Sequence, residues 1–368
     1  MKKILLISNE VMHYRVSIYN YFTERFKECD WEFIVRTNKL QNQNPHPIKF
    51  DLKQIPFKFS NYKKEIQNIN PDVVILFLRL KEFIIWPLVH WLKFKKIPVV
   101  YWNKGINLEV RNPIIRNQFF YYIHAICDRI ILYSSNEIKD IKEKNRYKIS
   151  VASNTINFED FPNIEESKEQ IKKEFGIPFK KVVLFVGRMR AVKKVDHLIE
   201  IFSSINHGDL GLVIVGDDMN QNIHQRINRR NTIYLGEIYD PQNWKISKLF
   251  KMADLFCIPG DVGLGLNQAF YWGLPVVTED GLQPPEIHYL INGRNGFVVP
   301  ENDVGELKEK MLYLLENDDI REEFSGNARN DILKNGSISN MFLGFKNCID
   351  SLSQFKDLRE EGRNIDVQ

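Results

Sequence analysis

The sequence predicts an α/β protein: two Rossmann-like doubly wound domains facing a cleft, with a C-terminal helix that crosses back to the first domain. Three observations lead there. The chain has 368 residues, more than one ordinary core organises. Short apolar runs rich in Val, Ile and Leu recur along it, separated by helix-length segments. That recurrence pauses once near the middle and then restarts.

The first set of runs is KILLIS (3–8), EFIVRT (32–37), VVILFL (73–78), PVVYW (98–102), RIILYS (129–134) and KISVAS (148–153). Strands that are apolar throughout and alternate with helices, such as those expected at 15–28 and 113–126, belong to a parallel sheet covered on both faces. The polar stretch 154–170 has no strand signal. The second set follows as KVVLFVG (181–187), LGLVIVG (210–216), TIYLG (232–236), LFCIP (255–259), PVVTE (275–279) and GFVVP (296–300). After 301 the pattern is helical, and GFKNCIDSLSQFKDL (344–358) is amphipathic. The expected domains are 1–165, 166–340 and a returning helix and tail over 341–368.

Composition narrows the class. Hydrophobic residues make up 43% and charged residues 27%, a globular balance. Cys29, Cys127, Cys257 and Cys348 lie far apart in sequence, which suits reduced core thiols and a cytoplasmic setting. The opening MKKILLISN has no cleavage-site pattern and is expected as a first strand. No apolar run reaches the ~18 residues of a membrane span. Residues 1–160 hold 26 Lys/Arg against 16 Asp/Glu, and residues 161–368 hold 25 against 31, so the basic N-terminal half is expected to face something anionic. The positive residues are dispersed and form no nucleic-acid-binding module.

Two loops carry the chemistry. VLFVGRMRAVKKVDHLI (183–199) ends a strand at Gly187 and Arg188, with a helix starting near Lys194. A strand's carboxyl end leading into a helix is where open α/β sheets bind ligands, and Arg188 and Lys193 add positive charge there. The second loop is GDVGLGLNQAF (260–270). Its glycines either let backbone N–H groups approach phosphate oxygens or serve a tight turn. The order G-x-x-G-x-G after a late strand is not the dinucleotide fingerprint, and no Walker sequence is present.

VGRMRAVKKVDHLI, VIVGDD, YLGEI, ADLFCIPG, GLGLNQAFYWGLPVV and PPEIHYLINGRNGFVV, in this order and spacing, resemble the C-terminal domain of family-4-type retaining glycosyltransferases of the GT-B fold. The likeness spans about 180 to 320, and the N-terminal half is similar more loosely, including its YWNKGINL loop. The resemblance implies that Gly187, Arg188 and Lys193 hold the diphosphate of a nucleotide-sugar. It implies that Gly260, Asp261, Val262, Gly263, Leu264, Gly265 and Leu266 contact phosphates and sugar, that Gly236, Glu237 and the loop to Tyr239 lie beside the base, and that Glu286 lies near the donor pocket.

This chain departs from the family pattern. Gly260 and Gln268 stand where the family has two glutamates separated by seven residues. Gln268 can still bond ribose hydroxyls, and the neighbouring Asp261 either substitutes for the missing carboxylate or caps a helix. The family's glycine-rich N-terminal loop is replaced by SNEVMHYR (8–15), where His13 and Arg15 are acceptor-side candidates. Asn103, Lys104 and Gly105 occupy the place of a histidine-glycine pair, so no base is assigned there.

The expected reaction is a retaining sugar transfer from a UDP- or GDP-sugar to a hydroxyl of a saccharide or lipid-linked saccharide in surface polysaccharide synthesis, with no metal or other cofactor. The segment KEFIIWPLVHWLKFKK (81–96), with Arg111 and Arg116, has an interfacial composition, and a peripheral contact with an anionic membrane on its inner face is a further expectation. The competing readings are a nucleotide-sugar epimerase and a non-catalytic sugar-nucleotide-binding protein.

Overall fold

The computed structural model describes residues 1–40, 46–106, 114–205, 208–218, 222–240 and 242–360. By its own contacts the chain divides into two compact units, Met1–Asn157 with Ile338–Gln368, and Phe158–Ser337.

The first unit is built on seven parallel strands: β1 (Lys2–Val11), β2 (Trp31–Leu40), β3 (Asp51–Gln54), β4 (Val73–Phe77), β5 (Val99–Trp102), β6 (Arg129–Leu132) and β7 (Ile149–Val151). Their order is β3-β2-β1-β4-β5-β6-β7, so the winding reverses between β1 and β4. Helices α1 (His13–Lys27), α2 (Phe59–Ile69), α3 (Ile85–Phe94) and α4 (Ile114–Ile126) make the crossovers. Successive residues of a strand point to opposite faces, and β1 accordingly feeds two cores. Ile4 and Leu6 join Phe22, Phe33 and Trp102 on one face, while Leu5 and Ile7 join Leu76 and the Leu88 and Leu92 of α3 on the other. The short, mostly exposed β3 has little of the apolar character that marks the others, so sequence reading passes over it.

The second unit holds six parallel strands: β8 (Lys181–Val186), β9 (Leu210–Val215), β10 (Thr232–Tyr234), β11 (Leu255–Cys257), β12 (Val276–Glu279) and β13 (Gly296–Val299). Their order is β10-β9-β8-β11-β12-β13, with the reversal between β8 and β11. Its helices are α5 (Lys168–Glu174), α6 (Val195–Ser204), α7 (Ile223–Arg226), α8 (Trp244–Met252), α9 (Gly265–Tyr271), α10 (Val304–Glu316) and α11 (Asp318–Asn335). Side-chain caps define two of the starts: Ser167 accepts from Gln170 N at α5, and Asp303 accepts from Glu306 N at 2.8 Å at α10.

The last helix, α12 (Ile338–Glu360), returns to the first unit. Met341, Phe345 and Cys348 enter the core with Phe22 and Trp102, and the Phe345 and Trp102 rings meet edge to face at 4.7 Å. The architecture is the expected pair of doubly wound α/β domains with a helix crossing back. Among the described residues no helix is long and apolar enough to cross a membrane.

Candidate active site

In the second unit the winding reverses between β8 and β11, and the crevice outside the carboxyl ends of such strands is where open sheets take ligands. The loops that leave these two strands are the two that stood out in the sequence. Residues 187–194 follow β8 and residues 258–264 follow β11, and they touch: Gly260 N donates to Lys193 O at 3.2 Å and Asp261 N to Val192 O at 2.9 Å.

That contact accounts for the first glycine. A Cβ on Gly260 would lie 1.9 Å from Val192 O, so only glycine lets the two backbones pair. Gly265, the first residue of α9, sits 3.1 Å from the Phe256 ring by the same measure, a core-packing reason. Gly263 is different: its φ is +56°, and a Cβ there would meet only the Lys193 ammonium and the Asp261 carboxylate beyond 3.5 Å. Its left-handed backbone turns the chain toward these charges through open space.

The loop's N–H groups divide in two. Those of Asp261 and Leu266 are taken by Val192 O and Gly263 O, and that of Val262 by the Gln283 side chain at 3.2 Å. Val262 is buried, as is Leu266, so neither side chain faces outward. Among the described residues, Gly263 N, Leu264 N and Gly265 N have no partner. Three successive free donors beside an ammonium are an arrangement of the kind that suits an anion.

The Lys193 side chain, buried at 9% exposure, points its Nζ to the Asp261 carbonyl and lies 3.4 Å from Asp261 Oδ1. Burial pushes its ammonium below the ordinary lysine value, with Asp261 and then Glu286 opposing. Lys193, Asp261 and the buried Glu286 therefore form one group. Arg190, which the sequence reading left out, adds a guanidinium 3.5 Å from Asp261 Oδ2. Arg188 is exposed, and its side chain has no partner among the described residues. Gly187 leads out of β8, its N–H bonded to Val215 O at 2.9 Å.

Further along the sheet edge, Gly236 at φ +73° accepts from Gly216 N at 2.8 Å, followed by exposed Glu237 and Tyr239. Gln268 is half-buried, with Nε2 3.5 Å from Asn243 Oδ1. Behind the two loops stands the last residue of β12, Glu279, which sequence reasoning missed. The fully buried Glu279 carboxylate accepts from Lys194 Nζ and Asn302 N, both at 2.8 Å, and contacts His197 Nδ1 at 2.5 Å. Burial raises the cost of its charge, and these bonds overcome that and hold its pKa below the usual carboxylate value.

In the first unit the candidates sit at the carboxyl ends of β1 and β5. His13 begins α1 and is exposed, with its ring edge-on to Tyr14. Arg15, by contrast, is buried at 3% exposure: Nη2 donates to Asn154 Oδ1 at 2.8 Å and the guanidinium lies over the Trp102 ring at 5.0 Å. Asn103 donates to Leu78 O at 3.0 Å and accepts from Lys104 N at 2.8 Å. Gly105 N donates to the buried Glu137, which also accepts from Tyr133 N and Ser134 N, each at 2.9 Å. Glu137 was legible as the last residue of an S-x-x-E capping pattern, SSNE, but not as the anchor of the 103–105 loop.

The segment 81–96 buries one face in the core and leaves the other exposed. Within α3, Ile85, Leu88, Val89 and Leu92 are buried, while Phe83 ahead of it and Phe94 at its end are exposed. Arg116 is exposed on α4, and Arg111 lies outside the described residues.

Residues 167–331 match the family model described as "Glycosyl transferases group 1". An uncharacterized 41.2 kDa protein in the cps region of Klebsiella pneumoniae is 25% identical over 229 residues, 59% of this chain and 61% of that protein. The capsular polysaccharide biosynthesis glycosyltransferase CapM of Staphylococcus aureus is 22% identical over 62% of this chain and 64% of its own. The chain thus spans about three fifths of the length of these two relatives. Among solved structures, HepE of Anabaena in complex with UDP superposes with a TM-score of 0.76 at 15% identity, over 95% of this chain and 100% of that one.

Proposed function

We propose that the chain is a GT-B-fold glycosyltransferase, its residues 167–331 matching the group 1 family model, and that it moves a sugar from a UDP- or GDP-sugar to a hydroxyl of a saccharide or lipid-linked saccharide. The setting is surface polysaccharide synthesis, a reading supported by the capsular relative and by the UDP in the HepE structure. The observation that carries it is the row of free N–H groups at Gly263, Leu264 and Gly265 beside Lys193, with Arg188 unpaired at the same strand ends. The alternatives of an epimerase and a non-catalytic binding protein are not favoured by relatives that are transferases.

In this reading the diphosphate lies on the 263–265 amides. Arg188, Lys193 and the start of α6 offset the charge that develops as the sugar C1–O bond to the β-phosphate breaks. The acceptor hydroxyl forms the new C1–O bond from the same face, and its proton passes to the departing phosphate oxygen, so the anomeric configuration is retained. The scheme uses no metal. It asks the protein mainly for position and charge, which is why the chain works without the family's two glutamates. Gln268 is assigned to the ribose hydroxyls, Gly236 and Glu237 to the base, and Glu286 to the floor beneath Lys193. His13, Asn103, Lys104 and Gly105 are assigned to the acceptor, with Arg15 supporting them from below.

The test is a thermal-shift screen with UDP, GDP, ADP, CMP and their sugars on wild type and Arg188→Ala. A ligand at 100 times its Kd adds about 2.7 kcal/mol. One nucleotide family should stabilise the wild type and lose that effect in the variant. No shift with any nucleotide would refute the cradle.

Peripheral contact of the first unit with an anionic membrane is part of the same proposal, placed at a groove that the exposed side of the 81–96 segment forms with α4. A cavity of about 690 Å³ opens among Phe83, Trp86, Phe119 and Tyr122, flanked by Lys142 and Lys144. Phe83 is 87% exposed there. Aromatic rings rimmed by cations suit a lipid interface with anionic headgroups. Co-sedimentation with neutral and anionic vesicles checks this, and equal weak binding to both removes it.

A further inference from the structure

We infer that Gln283 is a positioning residue for the donor site, setting where the 263–265 amides stand. The inference rests on the reading of 260–266 as the donor loop. Gln283 lies four residues after β12 and has itself been given no donor role, and its side-chain amide reaches back across the end of β11. Nε2 lies 2.9 Å from Gly260 O, 2.7 Å from Glu279 O and 3.0 Å from Thr278 Oγ1, while Oε1 accepts from Val262 N at 3.2 Å. The two amide hydrogens serve the two carbonyls. Thr278 Oγ1 stays within reach, its own hydrogen directed to Ile258 O at 2.8 Å.

This one side chain therefore grips the loop on both sides of Asp261, at the carbonyl before it and the N–H after it. The free donors begin at the next residue. Gly263 takes a left-handed turn that no side chain enforces, so the direction of its N–H depends on where Gly260 to Val262 are held. Val192 and Lys193 fix that stretch from one side through backbone bonds, and Gln283 fixes it from the other. A primary amide is the side chain that fits, because the site offers both carbonyl acceptors and an N–H donor. A carboxylate would keep the bond from Val262 N and repel the two carbonyls, and a leucine would fill the space and make neither bond.

The experiment is isothermal titration of wild type, Gln283→Glu and Gln283→Leu with UDP and uridine, and with GDP and guanosine, well below every variant's melting midpoint. We expect the variants to bind the nucleoside diphosphate about tenfold or more weakly while nucleoside affinity stays within threefold of wild type. A merely structural role would lower the melting midpoint and leave both affinities unchanged in the folded protein, and that result overturns the inference. So does an equal loss for nucleoside and diphosphate. Wild type that binds neither UDP nor GDP would instead refute the donor-loop reading, and this inference with it.

Discussion

Replacing Gly260 by alanine tests the reason for the glycine that stands where a relative of this kind carries glutamate. The new Cβ would lie 1.9 Å from Val192 O and 2.9 Å from Val192 C, both backbone atoms that cannot swing aside. The loops must part by more than 1 Å, which breaks the bonds from Gly260 N to Lys193 O and from Asp261 N to Val192 O. Two hydrogen bonds at about 1 kcal/mol each, plus about 1–3 kcal/mol for overpacking, give a cost of roughly 3–5 kcal/mol. Reduced unfolded-chain entropy returns at most about 1 kcal/mol. At about 2–4 °C per kcal/mol for a unit of this size, the melting midpoint should fall by roughly 10 °C. Gly263→Ala is the control, because its Cβ enters open space and costs only about 1–2 kcal/mol for the left-handed backbone. Calorimetry of both variants decides the matter. A Gly260→Ala protein that melts no lower than Gly263→Ala would refute the close-approach argument.

The Arg188→Ala protein should differ from wild type by no more than about 0.5 kcal/mol in stability, since the side chain is exposed and unpartnered; a larger loss in denaturant titration would show a structural role. Glu137→Gln should destabilise the first unit by about 1–3 kcal/mol, because an amide cannot accept all three N–H groups of Gly105, Tyr133 and Ser134; an unchanged urea midpoint would contradict it. His124, on the buried face of α4, has its pKa lowered to about 4, by burial first and by Lys148 second. The unfolded chain takes up this proton near pH 6.5 and the folded one only near 4, so stability should fall as pH drops through that window. The contribution is up to about 3 kcal/mol, and His124→Gln should remove it. A pH–stability curve that keeps its slope in the variant would rule the assignment out.

What could be read in advance follows from chemistry local to the chain. The Val/Ile/Leu runs become parallel strands, the central ones buried on both faces and the edge strands β7, β10 and β13 only partly covered. The amphipathic C-terminal stretch becomes the helix that fills the first core. The two loops after the strands at 181–187 and 255–259 are legible because charge and glycine cluster where strands give way to helices. The short β3 escaped because three of its four residues are polar and exposed, with only Leu52 turned to the core, and composition could not say which face of α3 is covered.

The sequence alone determined the α/β class, the pair of doubly wound sheets and the loops that carry basic and glycine residues, since strand propensity, apolar runs and charge are properties of neighbours in the chain. The tertiary structure decided how those residues are used. It fixed that Gly260 serves a backbone contact, that Arg15 lies buried over Trp102, that Lys193 meets Asp261 across 68 positions of sequence, and that Gln283 grips the loop beside Val262. The reason is physical: which N–H groups are already satisfied, and which remain to meet a ligand, depends on distances between segments far apart in the chain. Those distances exist only once the strand ends are brought side by side.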